Sequence, residues 1–182
     1  MKTARICLLL LTTIGLLAQT GGQAQYTNDG LMVLPKDYAE WIFVSTGYAT
    51  SYTDGPNAGR PLFHNVFVNP ASYRAFQKTG TWPDKTTLIL ELRGSETKSS
   101  INKAGFVQTG VVAIEAHVKD AARGGWAFYG FDGKGQGGKP FPKTADCFTC
   151  HQQNGAVDTT FVQFYPSVID AAKQHGTYKK TE

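Results

Sequence analysis

Cys147, Cys150 and His151 are the residues of this chain best equipped for chemistry, in the stretch Cys147-Phe148-Thr149-Cys150-His151. The C-x-x-C-H spacing fits covalent attachment of a c-type haem. Two thiols three residues apart can each form a thioether to one vinyl group, and the adjacent histidine can lie beneath the iron as its proximal axial ligand. Two other chemistries use the same residue types. A Cys147–Cys150 disulfide could act as a redox pair, although such sites ordinarily open a helix after a strand and carry no ligating histidine. A zinc site needs four ligands. Cys147, Cys150, His151 and the distant His175 could supply them, but the chain has no second C-x-x-C and no H-x-x-x-H pair. The favoured assignment is one covalent haem c, with Cys147 and Cys150 as attachment points and His151 on the iron.

The start of the chain agrees. Lys2 and Arg5 precede an almost wholly apolar run from Ile6 to Ala18, and Gly22 and Ala24 set small residues before Gln25. This is the pattern of a secretory signal peptide over residues 1–24, too short for a membrane anchor. Cys7 leaves with it, so the mature chain keeps only the two motif cysteines. That usage fits haem attachment outside the cytoplasm, and the compartment expected is a bacterial periplasm. Removing residues 1–24 from 182 leaves 158, enough for one domain with its own core over residues 25–182. The formal charge of +4 falls to +2 with the loss of Lys2 and Arg5, too little and too scattered to argue for nucleic acid or an anionic membrane surface. No second apolar run and no internal repeat is visible.

The elements that must position the motif read as strands with short helices between them. Leu34 to Ile42, with Pro35 at its start, has helical spacing of Tyr38, Trp41 and Ile42. Phe43 to Tyr52 and Phe63 to Val68 are rich in β-branched and aromatic residues and predict strands, the first ended by Asp54-Gly55-Pro56. Asn69-Pro70 opens a helix with Asn69 as cap, Tyr73 and Phe76 share a face, and Gly80 closes it. After the Pro83-Asp84-Lys85 turn come a strand from Thr86 to Arg93, a polar loop from Gly94 to Ala104, and strands over Gly105 to Val118 and Gly125 to Asp132. Gly133 to Asp146, rich in glycine, proline and lysine, reads as a loop delivering the chain to Cys147. Pro166 starts a last helix that stops at Gly176. The expectation is a single α+β, mainly β domain: an antiparallel sheet with short flanking helices.

The iron's sixth position decides what such a protein does. A methionine sulfur would suit an electron-transfer cytochrome, but the mature chain has one methionine, Met32, in a polar lead segment and read as a packing residue. His64 falls in an apolar strand, where a hydrogen-bonded structural role competes with that of distal ligand or proton donor. His117 ends a strand and His175 ends the last helix, so both read as surface residues. An open sixth site follows, able to take small diatomic or nitrogenous molecules. The 11 Phe, 8 Tyr and 3 Trp could line such a pocket or simply fill a core.

Beyond the motif, the segments LPKDYAEW, VFVNPASYRAFQKTGTWPDKTTLILELR, GWAFYGF, CFTCH and DTTFVQFYP follow one another between Leu31 and Ala171 as they do in the cytochrome P-460 family, which includes the cytochromes c′-beta. The resemblance implies a mostly antiparallel β fold, often a homodimer, with a five-coordinate haem c held by Cys147 and Cys150 and ligated by His151. One branch of the family carries a lysine cross-linked to the haem and oxidises hydroxylamine, passing electrons to a partner cytochrome. The c′-beta branch lacks the link and resembles binders of nitric oxide and carbon monoxide, with phenylalanine over the distal face.

In the alignment the cross-linking lysine falls on Leu90. Leu88, Leu90 and Leu92 share one face of a strand, and Lys85 lies five residues, about 17 Å, away along it, with Lys78 more distant in sequence. The carboxylate that hydroxylamine-oxidising members place ahead of the motif falls on Pro142. Asp146, Asp132 or His64 could replace it as base, yet each has a simpler reading as a loop or strand residue. Both departures favour a ligand-binding c′-beta-like protein, with Leu90, Phe63 and Phe43 as candidates for the distal wall. Hydroxylamine oxidation and simple electron transfer through Met32 or His64 are the alternatives.

Overall fold

The computed structural model describes residues 22–51 and 61–181. Most of the segment expected to be a signal peptide, up to residue 21, the end of the strand expected to reach Tyr52 and the Asp54-Gly55-Pro56 turn lie outside the described residues. Strands β1 (Gln25–Tyr26) and β2 (Met32–Val33) form a small antiparallel ribbon. Strands β3 (Ile42–Tyr48) and β4 (Phe63–Val68) lead into helix α1 (Pro70–Thr79), followed by β5 (Thr87–Glu96), β6 (Val107–Asp120), β7 (Gly125–Asp132) and β8 (Gly137–Pro140). Helices α2 (Asp146–Asn154) and α3 (Ile169–Gln174) close the chain. β3 to β8 pair in chain order as one six-stranded antiparallel meander, so the domain is mainly β with short helices, as expected.

Because side chains alternate across a sheet, the meander separates two cores. On one face Val68 and Leu88 pack with Phe76 and Trp82 and with the C-terminal residues Val157, Phe161, Val162 and Val168. On the other, Ile89, Ala116, Val118, Tyr129 and Phe131 pack with Met32 and Trp41 from the N-terminal segment. Met32 is buried in this second core, so it packs on the face of the sheet opposite Val66, Leu88 and Leu90.

Local signals explain the elements that match expectation. Pro70 stands in the first turn of α1, and Gly80 closes the helix in the left-handed conformation (φ 70°) with its N–H donating to the Phe76 carbonyl. The Asn69 side chain, however, does not cap α1. Its Oδ1 accepts from Thr87 N at 2.9 Å and ties the helix start to β5.

Three expectations are corrected. The helix over 34–42 is only a single 3₁₀ turn, Tyr38–Glu40, because Ile42 is already paired with Val68 in the sheet. The loop from Gly133 to Asp146 contains β8, which pairs with β7 and whose two glycines adopt positive φ. At Gly138 a Cβ would stand 1.9 Å from the Met32 carbonyl oxygen, so only glycine allows this close approach to β2. The motif itself is helical, and α2 was not anticipated.

Phe76 is fully buried against Trp82, ring centroids 4.1 Å apart. Phe76→Ala is expected to cost about 3–5 kcal/mol of folding stability, read from the urea midpoint.

Candidate haem site

Helix α2 sets the motif residues at i, i+3 and i+4, the spacing that puts side chains on one helical face. Asp146 in its first turn suits the positive helix start. Cys147 and Cys150 are free, half-buried thiols; burial raises the Cys147 thiol above its ordinary pKa.

His151 is fixed by one short bond. Its Nδ1 lies 2.7 Å from the Thr159 carbonyl oxygen, and a carbonyl only accepts, so Nδ1 carries the proton. Nε2 then keeps its lone pair, the form a metal requires. Burial lowers the His151 pKa, against the opposing pull of the Thr159 carbonyl, and favours the same neutral ring.

The turn that offers this carbonyl is held from several directions. Asp158 sits at φ 52°, and its carboxylate pairs with Lys119 Nζ at 3.0 Å. Lys119 also donates to the Trp82 carbonyl at 2.8 Å. Trp82 Nε1 donates to Thr160 Oγ1 at 2.8 Å, and Thr160 Oγ1 donates to the Val157 carbonyl at 2.7 Å.

Between α2 and the sheet lies a cavity of about 770 Å³, within the ~300–1,000 Å³ range of ligand pockets. Its helix side includes Cys150, His151, Phe161 and Phe164. Its sheet side includes His64 and Val66 of β4, Leu88 and Leu90 of β5, Glu115 and His117 of β6, and Phe128 of β7. Leu90 is therefore a wall residue, as expected. Phe63 and Phe43 are not. They alternate to the other face of β3 and β4, where Phe63 meets Tyr48 at 4.7 Å in a tilted pair and Phe43 meets Phe67 at 5.8 Å.

His64 is hydrogen-bonded, its Nδ1 3.0 Å from Thr50 Oγ1, it also lines the cavity, and burial lowers its pKa. His117 is a correction, since it is buried rather than on the surface. It stacks on Phe128 at 4.0 Å, stands edge-on to His151 at 5.0 Å, and places Nε2 3.2 Å from Thr159 Oγ1. Burial, then the nearby His151 and Lys143, holds it neutral to well below the ordinary histidine range. His175 is exposed, as expected, and no group of metal-binding side chains that includes it occurs among the described residues, so the zinc alternative finds no support.

Asp132 and Asp146 are exposed and do not line the cavity. Glu115 does, although it is not among the candidate bases read from the sequence. Its signal was present: a lone acid inside the apolar run Val111 to Val118, in the same alternation phase as His117.

Two free thiols, a neutral histidine offering Nε2 and an adjoining cavity walled by aromatic and aliphatic side chains form a donor set and an enclosure that fit a covalently held haem. Such a site on a mainly antiparallel sheet fits a haem protein of the c′-beta and P460 kind, and the family match supports that class. The chain belongs to the cytochrome P460 family, whose model matches residues 35–162. Comparison with curated proteins gives no significant match. No helix among the described residues is long and apolar enough to cross a membrane.

A Cβ added at Gly155 would come within 2.7 Å of the His151 carbonyl oxygen and 2.9 Å of the Thr159 carbonyl carbon, both backbone atoms. Gly155→Ala is expected to cost about 1–3 kcal/mol and to loosen the His151–Thr159 bond, visible in the imidazole nitrogen-15 shifts. Acid should destabilise the fold. His117 refuses a proton that the unfolded chain accepts below the ordinary value of 6.5, so stability rises with pH through that range and falls as pH drops below it. Urea midpoints at pH 7.5 and pH 5.5 should differ less for His117→Gln than for the wild type.

Proposed function

We propose that this chain is a periplasmic c-type cytochrome, exported by residues 1–24, whose domain over 25–182 holds one haem c through Cys147 and Cys150 with His151 on the iron. Its function is to bind small diatomic or nitrogenous molecules, nitric oxide first among them. When bound, haem supplies an iron with one open coordination position.

The observation that carries this reading is the cavity wall. Leu90 stands where the hydroxylamine-oxidising branch has its cross-linking lysine, and no lysine lines the cavity among the described residues. Lys85 is bound to Asp120, with Asp84 also near, and Lys78 is exposed in the last turn of α1. Met32 is buried in the other core, which weighs against a sulfur ligand.

The protein's own groups then divide the work. The Thr159 carbonyl keeps the proton on His151 Nδ1 and so keeps Nε2 free to coordinate. His117 and Phe161 pack on the imidazole and restrict its rotation. Val66, Leu88, Leu90 and Phe128 exclude water from the cavity's sheet side, which favours neutral apolar ligands such as nitric oxide and carbon monoxide. A second reading, oxidation of hydroxylamine with transfer of electrons to a partner cytochrome, draws support from His64 and Glu115, two titratable side chains on that same wall. A homodimer is part of the proposal by resemblance to the family.

Absorption spectra of the purified holoprotein, oxidised, reduced and reduced under carbon monoxide, test the reading. A high-spin c-type spectrum that shifts with carbon monoxide is expected. A low-spin spectrum indifferent to carbon monoxide would assign a sixth protein ligand such as His64, and a ferrous Soret band far to the red would reveal a cross-link. Leu90→Lys should change the haem spectrum or its ligand binding, whereas Cys147→Ala with Cys150→Ala should release the haem into acidified organic solvent.

A further inference from the structure

Glu115 is the one acidic side chain among the described residues lining the cavity, and no cation pairs with it there. In the sheet it pairs directly with Leu90 on β5 and with Gly130 on β7. Side chains at directly opposed positions stand about 5 Å apart on the same face, so the carboxyl lies beside the Leu90 side chain. The glycine offers no group at all; the ring of Phe141 takes the space that a Cβ at position 130 would fill. Glu115 forms no ion pair among the described residues.

The titratable and charged groups of the packed elements are few. β4 brings His64, β6 brings His117 and Lys119, the latter paired with Asp158, β8 brings Lys139, opposed to Gly130, α2 brings Asp146, Cys147 and His151, and the segment before α2 brings Lys143, whose ammonium donates to the Trp126 carbonyl. A half-buried carboxyl without a cation is costly to keep for packing alone, and a cavity-facing one acts on whatever enters.

We propose that Glu115 sets the ligand selectivity of the cavity, disfavouring anions and favouring neutral molecules or those that bring a proton. The inference rests on the ligand-binding function proposed above. As a carboxylate, Glu115 repels an anion that approaches the wall at Leu90. As a neutral acid, it donates a hydrogen bond to a ligand atom instead. Burial raises its pKa above the ordinary 4.5 and so brings the exchange between these two forms closer to neutral pH. The cavity therefore admits nitric oxide, carbon monoxide or hydroxylamine and resists nitrite-like or halide-like anions.

Fluoride binding to the ferric holoprotein between pH 5.5 and 8 tests this, with carbon monoxide binding to the ferrous form as the neutral probe. As pH rises the wild type should lose more fluoride affinity than Glu115→Gln does. Glu115→Gln should bind fluoride at least about tenfold more tightly at pH 8, with the pH dependence flattened and carbon monoxide affinity changed far less than fluoride affinity. Glu115→Asp and His64→Gln should keep the wild-type trend. Equal fluoride affinity in the wild type and Glu115→Gln, both binding carbon monoxide, would overturn the role of Glu115, as would a pH step that disappears in His64→Gln. A wild type that binds no carbon monoxide would instead overturn the ligand-binding function itself.

Discussion

The hydrogen bond from His151 Nδ1 to the Thr159 carbonyl, 2.7 Å long, is the constraint around which the rest of the site is arranged. A histidine can coordinate a metal only if one ring nitrogen is free of its proton and the ring is held still, and a buried carbonyl oxygen secures both at once. A backbone carbonyl is also a partner that no side-chain substitution removes. What the protein must control is where that carbonyl lies. It does so with the Lys119–Asp158 pair, the Trp82–Thr160 hydrogen bond and the Gly155 backbone packed against His151. Lys119 stands on β6, so the turn beneath the histidine is anchored to the sheet that forms the opposite wall.

The six-stranded meander does two jobs with one geometry. Alternation sends Leu88, Leu90, Glu115, His117 and Phe128 toward the cavity and sends Ile89, Ala116, Val118 and Tyr129 to an apolar core on the far side. That second core braces the wall from behind, so cavity residues can be chosen for chemistry at little cost to packing. Two polar members of the wall, His64 on β4 and Glu115 on β6, have the leucine row of β5 between them.

How far all this is legible in the chain varies residue by residue. β4, α1, β5 and β7 stand close to where alternation, Asn69-Pro70 and Gly80 put them, because those signals are local. The helix expected over 34–42 fails because pairing of Ile42 with Val68 outweighs a weak helical spacing. Phe43 and Phe63 were candidates for the wall by residue type, but strand phase turns them away from it. His117 looked exposed because it stands near a strand end; the C-terminal turn that covers it comes from more than forty positions later.

By itself the sequence determined the attachment motif, the likeness to the cytochrome P460 family, and the absence of a lysine at position 90. Each is a matter of residue type and spacing along one chain. Only the tertiary structure decided that the Thr159 carbonyl orients His151, that His117 lies buried against it, and that Glu115 faces the same cavity as Leu90. Those relations join residues far apart in the chain, and they arise from strand register and from the path of the turn after α2, neither of which leaves a local signature.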